Sequence, residues 1–168
     1  VYRCSLVAPI VPVEASYPLF ILYTSGSTGK PKGLVHVHGG YQVGLVCTSK
    51  LVFGCPASSS DVHFVVATPG WITGQSYMIA AALLLRMPTV VLEGSPVSPI
   101  PDRFAAIISR RKVTVLKSGS TMMRMLMTSP TAPSLLKQHD LTSLRLGILC
   151  AEPVHAATHK YASVTLTS

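Results

Sequence analysis

Residues 23–33 read Tyr23-Thr24-Ser25-Gly26-Ser27-Thr28-Gly29-Lys30-Pro31-Lys32-Gly33, the densest run of chemically useful side chains in the chain. Gly26, Gly29 and Gly33 permit positive φ and close approach of the backbone to a ligand. Thr24, Ser25, Ser27 and Thr28 add hydroxyl donors, and Lys30 and Lys32 add positive charge. N–H groups, hydroxyls and ammonium groups on one loop suit a polyphosphate. The loop is not of the Walker type, whose Gly-x-x-x-x-Gly-Lys-Ser/Thr spacing differs. Here only Ser27 and Thr28 separate Gly26 from Gly29, and Pro31 follows Lys30. The plain alternative is a Gly/Ser hairpin without a ligand.

Other constellations carry less. His155 and His159 stand four apart and would share a helix face. The zinc-protease pattern needs Glu directly after the first His, where Ala156 stands, so no metal site is assigned. The Gly-x-Ser-x-Gly of α/β-hydrolases is absent.

The loop needs strands to hold it. Leu19 to Tyr23 leads in as a short strand, and Leu34 to His38 returns. A helix is expected from Tyr41 to about Val52, after Gly39 and Gly40. Strands at 62–67, 89–92, 113–116 and 144–149 then alternate with helices at 75–86, 102–112 and 121–127. A loop is expected at 129–142, and Pro153 is placed at a first helical position. In the 102–112 helix, Phe104, Ile107, Ile108 and Arg111 fall at i, i+3, i+4 and i+7. This alternation predicts an α/β fold with a largely parallel sheet and flanking helices. Residues 1–17, with Pro9 and Pro12, read as a connecting segment; residues 18–168 read as one partial domain with no internal boundary.

Composition narrows the function classes. The 168 residues are 48% apolar, enough for a core, which excludes intrinsic disorder. Only 12% are charged, which is little polar cover for a complete small domain and predicts faces covered by further protein. The net charge of +8 does not point to nucleic acid. Its basic residues are scattered, and the one cluster, Arg110-Arg111-Lys112, suits a helix C-terminus. Anionic small molecules account for the charge better. Cys4, Cys47, Cys55 and Cys150 form no Cys-x-x-Cys pair and are expected to be reduced thiols. The longest apolar run, Met78 to Leu85, is too short to cross a bilayer. A cytoplasmic location is expected, with organellar targeting left open.

The 23–33 run resembles, at every position, the phosphate-loop signature of the adenylate-forming superfamily of acyl-CoA synthetases, luciferases and peptide-synthetase adenylation domains. Residues 34–41, 69–74 (Pro-Gly-Trp-Ile-Thr-Gly) and Ala151-Glu152-Pro153 look most like its acetyl- and propionyl-CoA synthetase branch, including the ligase part of propionyl-CoA synthase. The resemblance implies a two-step reaction. A carboxylate attacks the α-phosphate of ATP, pyrophosphate leaves, and the thiol of coenzyme A displaces AMP from the acyl-adenylate.

By the same resemblance, Thr24, Ser25, Gly26, Ser27, Thr28, Gly29, Lys30 and Lys32 would hold the phosphates. Trp71, Ile72, Thr73 and Cys150 would line the acyl pocket, with the Thr73 hydroxyl near the reacting carboxylate as the catalytic candidate. Ala151, Glu152 and Pro153 would lie against adenine, with Ala where the family more often has Gly. Residues 118–121 match loosely a segment near the pantetheine path. ATP, Mg²⁺ and coenzyme A are the implied ligands, and a short-chain acid (acetate, propionate or 3-hydroxypropionate) the implied substrate. The family pattern also includes an aromatic-x-x-Thr-Glu motif, a ribose-binding Asp and a C-terminal domain with a catalytic lysine, none of which occurs in residues 154–168. The chain is therefore expected to be part of the large domain, inactive alone, with the rest of its own enzyme as partner. A non-catalytic remnant or nucleotide-binding module is the alternative.

Overall fold

A computed structural model describes residues 8–24, 29–57 and 60–166. They form two compact units, divided between Gly44 and Leu45. That point lies inside a helix, so no turn residue marks it in the sequence.

In the first unit, β1 (Pro18–Thr24) pairs antiparallel with β2 (Lys32–Val37). The register sets Tyr23 opposite Gly33 and Thr24 opposite Lys32. Phe20 stacks on His36 across the pair, with ring centroids 4.6 Å apart, and Tyr41 meets Phe20 edge-on at 5.1 Å. Cross-strand aromatic pairs of this kind hold a hairpin that is marginal by itself. Helix α1 (His38–Cys47) starts directly at the end of β2, ahead of the expected Tyr41. Its first N–H groups find acceptors upstream: His38 donates to the Tyr17 carbonyl at 3.1 Å and Gly39 to Ala15 at 2.8 Å.

In the second unit, β3 (His63–Val65), β4 (Thr89–Val90), β5 (Val115–Gly119) and β6 (Leu146–Cys150) form a parallel sheet in the order β4-β3-β5-β6. The chain leaves β3 toward β4 at one edge, then returns to β5 on the other side. Strand order reverses between β3 and β5, and crevices for ligands open at the carboxyl ends of strands at such a point.

Alternation along the strands divides the core. Phe64 and Leu116 join Phe104 and Ile108 of α3 (Arg103–Arg111) and Met123 and Leu126 of α4 (Ser120–Thr128). Val115 instead packs with Phe53, Cys55, Leu85 and Met87. The expected stripe on α3 is confirmed in Phe104 and Ile108, both fully buried. The methionines of α4 divide as core packing requires: Met122 and Met123 are buried, Met125 and Met127 exposed.

Several element boundaries differ from the sequence reading. The strands are shorter or shifted: 62–67 reduces to His63–Val65, 89–92 to Thr89–Val90, and 113–116 and 144–149 slide to Val115–Gly119 and Leu146–Cys150. The 75–86 helix opens with i→i+5 hydrogen bonding over Gly74–Ala80 before α2 (Ala81–Leu85) tightens. The expected loop at 129–142 contains α5 (Ala132–Leu136), with a proline in its first turn. Pro153 is not helical; α6 (Ala156–Leu166) starts three residues later.

Arg145 ties the amino-terminal end of the sheet together. Its guanidinium donates to both Asp61 carboxylate oxygens, at 2.8 and 2.7 Å, and to the carbonyls of Phe53 and Gly54, both at 3.1 Å. Nη2 also lies 3.2 Å from the Cys55 sulfur, which faces His63 Nε2 at 3.3 Å. Burial pushes the Cys55 thiol up, with Asp61 acting in the same direction, and holds His63 below its ordinary value. The pair therefore sits protonated on sulfur and neutral on imidazole. Among the described residues no helix is long and apolar enough to cross a membrane.

Candidate active site

The carboxyl end of β3 runs into residues 66–74. This loop closes on itself, with the Gln75 side-chain amide donating to the Pro69 carbonyl. Gly74 must be glycine here, because a Cβ would lie 2.1 Å from the Thr68 carbonyl oxygen. The close approach tightens the loop that carries Trp71 and Thr73.

There they meet the ends of the other central strands. A cavity of about 290 Å³ is lined by Val66, Ala67, Thr68, Trp71 and Thr73 after β3, Gly119 at the end of β5, and Cys150 and Ala151 at the end of β6. Of the residues expected to form an acyl pocket, Trp71, Thr73 and Cys150 line it and Ile72 does not. Trp71 is 62% exposed, a cavity wall and not a core aromatic. The Thr73 hydroxyl makes no hydrogen bond to any described residue, which leaves it available to a ligand. The Cys150 thiol is directed to the Ser118 carbonyl at 3.6 Å, which fixes its side chain against the strand end.

Ala151 has φ of 74°, in the left-handed region that costs an alanine about 1–2 kcal/mol. Glycine would adopt this conformation without that cost, where the chain turns as it leaves β6. Glu152 follows, and its carboxylate is fully engaged. Oε1 accepts from the Thr121 N–H at 2.7 Å and the Thr121 hydroxyl at 2.6 Å, and Oε2 accepts from Arg124 Nη2 at 2.7 Å. These bonds, Thr121 first and Arg124 next, hold the acid down at about 2. A Glu before a helix commonly complements the dipole of that helix. Glu152 instead satisfies a first-turn N–H of α4, a helix distant in sequence. Pro153 is exposed and does not line this cavity. The Ser120–Arg124 end of α4 carried no pairing signal in the sequence, because its partner lies about thirty residues on.

The phosphate-loop candidates belong to the first unit. Thr24 ends β1, Lys32 begins β2, and Gly29 has φ of 81°. Lys30 and Lys32 are exposed, and neither ammonium group has an ion pair among the described residues. Ser25, Gly26, Ser27 and Thr28 lie outside the described residues. Among the described residues no three His, Cys, Asp or Glu side chains gather where they could hold a metal ion.

With this geometry in place, the sequence comparisons decide the family. Residues 5–167 match the family described as AMP-binding enzyme. The chain belongs to that family. Among curated relatives of this AMP-binding chain, the 3-hydroxypropionyl-coenzyme A synthetase of Sulfurisphaera tokodaii is 42% identical over 151 residues, covering 90% of this chain and 22% of the relative. The acetyl-coenzyme A synthetase of Pyrobaculum arsenaticum is 41% identical over 152 residues, with the same coverage. Acetyl-coenzyme A synthetase 2 of Candida glabrata is 42% identical over 146 residues, 87% of this chain and 21% of the relative. The chain thus spans about a fifth of the length of the curated relatives it matches.

Proposed function

We propose that this AMP-binding chain serves the ATP-dependent activation of a short-chain carboxylic acid, first to an acyl-adenylate and then to an acyl-CoA thioester. The observation that carries the reading is the cavity where Trp71, Thr73 and Cys150 converge from separate strand ends. Its placement at the reversal of strand order is where an α/β sheet receives a ligand. The named relatives are synthetases of acetyl-CoA and 3-hydroxypropionyl-CoA, which supports an acid of that size.

Each residue has a physical task in this reading. Lys30 and Lys32, with Thr24 and the 25–29 backbone, offer unpaired cations and donors to the β- and γ-phosphates and then to departing pyrophosphate. Attack of one anion on another is disfavoured until its charge is offset, and the ammonium groups do this in part. Mg²⁺, bound mainly through phosphate oxygens and water, would offset the rest. Trp71, Cys150 and Val66 exclude water from the carbon chain, while the Thr73 hydroxyl orients the carboxylate for attack. Ala151, Glu152 and Pro153 present the strand end to adenine, and the bonds from Thr121 and Arg124 hold that segment rigid. Coenzyme A then supplies the thiol.

The test is ATP–pyrophosphate exchange by the full gene product, with acetate, propionate and 3-hydroxypropionate as acids. The reading expects acid-dependent exchange and, with coenzyme A, thioester formation. Absence of exchange with every acid would reduce the chain to a nucleotide-binding module.

A further inference from the structure

Lys117 places a cation inside the sheet. It stands in β5 with 7% of its surface exposed, and among the described residues no carboxylate pairs with it. Alternation puts it on the face of Val115, opposite to that of Leu116. Its ammonium lies over two aromatic rings, 4.4 Å from the centroid of Tyr77 and 4.9 Å from that of Phe53. The rings are 5.3 Å apart and tilted by 55°, so they close on the ammonium as a clamp. Taking an ammonium out of water costs free energy, which two ring faces offset in part. The other buried members of this cluster, Cys55, Leu85, Met87 and Val115, are apolar. A methionine at 117 would reach the same rings without the cost of desolvation. Packing of the sheet therefore gives no reason for a charge at this position.

What the lysine touches leads to the candidate active site. Its carbonyl accepts from the Val66 N–H at 2.8 Å, at the point where the chain leaves β3 for the 66–74 loop. Its ammonium holds Tyr77, three residues past the other end of that loop at Gly74. Thr73 has helical φ and ψ immediately ahead of the Gly74–Ala80 segment, so Thr73 and Tyr77 share one continuous helical run. That run is hydrogen-bonded i→i+5, an uncommon geometry found frequently at functional sites. Phe53 ends a second segment of this kind, Thr48–Val52. One residue of the neighbouring strand thus grips the loop of Trp71 and Thr73 at its start and beyond its end.

We propose that Lys117 is a positioning residue for acid activation. Through Tyr77 its ammonium fixes the helical run that carries Thr73, and so aims the Thr73 hydroxyl at the carboxylate of the acid. A cation does this where an alkyl chain does not, because its attraction to a ring face is directional and apolar contact is not. Lys117 itself touches neither the acid nor ATP in this role. The inference rests on the proposed acid-activating function and adds the residue that orients its acid-binding loop.

The experiment uses the full gene product and compares Lys117→Met, Lys117→Arg, Tyr77→Leu and the Lys117→Met/Tyr77→Leu double variant with the unsubstituted protein. It reads kcat and the KM of acid and of ATP in ATP–pyrophosphate exchange, with whichever of acetate, propionate and 3-hydroxypropionate the unsubstituted protein uses best. Thermal unfolding is followed in parallel. Lys117→Met is expected to keep its thermal midpoint while kcat/KM for the acid falls about tenfold, the order of effect of one desolvated cation–π contact. KM for ATP stays the same, since the groups offered to ATP lie elsewhere in the chain. Lys117→Arg restores most of the loss, because a guanidinium also stacks on aromatic faces. The double variant loses no more than the larger single loss, as two residues acting through one contact require. Additive losses, an equal rise in both KM values, or full activity in a folded Lys117→Met overturn the proposal and leave the acid-activating function standing. If Lys117→Met unfolds, Tyr77→Leu decides: an acid-specific loss in the folded variant supports the role, and normal acid kinetics overturn it. Unfolding of both makes the contact a requirement of the fold and overturns it too. Absence of exchange in the unsubstituted protein overturns the acid-activating function itself, and shows itself before any substitution.

Discussion

The hairpin of β1 and β2 and the sheet of β3 to β6 hold different kinds of chemistry, by different means. The hairpin is two antiparallel strands whose side chains are mostly exposed, and its candidate groups are contiguous in sequence. The sheet is parallel, with β3 and the first four residues of β5 buried, and its candidate groups come from three separate strand ends. Backbone donors and lysines on one loop need only a short scaffold. A cavity needs layers on both sides of a sheet, because only a packed interior holds its walls apart. The hairpin should thus tolerate change in its chemistry without loss of fold, whereas the sheet should not.

Substitutions can break that contrast or sharpen it. The largest effect is expected in the sheet. Phe104→Ala removes a fully buried ring from the face of Phe64 and Leu116, and should cost about 3–5 kcal/mol in denaturant unfolding of the full gene product. A loss no larger than that of a surface change would show that this face is not a common core. Acid should act on the same unit next. His63 is held below its unfolded value of 6.5 mainly by burial, so the unfolded chain takes up its proton first. Stability from this group is present above pH 6.5 and lost as pH falls below it. His63→Gln should flatten that part of the pH–stability curve, and an unchanged slope would remove His63 as its source.

Ala151→Gly is expected to be smaller and of opposite sign. Relief of the left-handed strain should stabilise by about 1 kcal/mol, less the extra freedom glycine brings to the unfolded chain. The smallest effect on folding belongs to Lys32→Ala, within about 0.5 kcal/mol in thermal unfolding, as for an exposed, unpaired side chain. Its effect on chemistry should be the reverse. Exchange of pyrophosphate should fall by about a hundredfold if Lys32 offsets phosphate charge. Unchanged exchange in a folded variant would remove that role, and lost folding would erase the contrast between the two regions.

Legibility followed the range of the interactions. The hairpin was readable because its signals are local: a short apolar run, a loop rich in glycine and hydroxyl groups, and a return strand. The α3 stripe was readable because i, i+3 and i+4 spacing is a property of one helix. The strand ends were less so, since hydrogen bonds to neighbours end a strand, and neighbours are distant in sequence; 62–67 shortened to His63–Val65 for that reason. A short helix such as α5 gives too few turns for periodicity to show against its flanking polar residues. Ile72 was expected on the pocket wall with Trp71 and Thr73, yet the turn closed at Gly74 leaves it outside.

By itself the sequence determined the kinds of group present and their local order: lysines and hydroxyls on one glycine-bearing loop, a parallel α/β alternation, and a family identity that spans most of the chain. Only the tertiary structure decided which groups meet. It set Glu152 on the first turn of α4, joined Arg145 to Asp61, and brought Trp71, Thr73 and Cys150 to one cavity. The physical reason is that backbone preference and side-chain periodicity act over a few residues. Burial, ion pairing and cavity shape depend on atoms that only the folded chain brings within a few ångströms of one another.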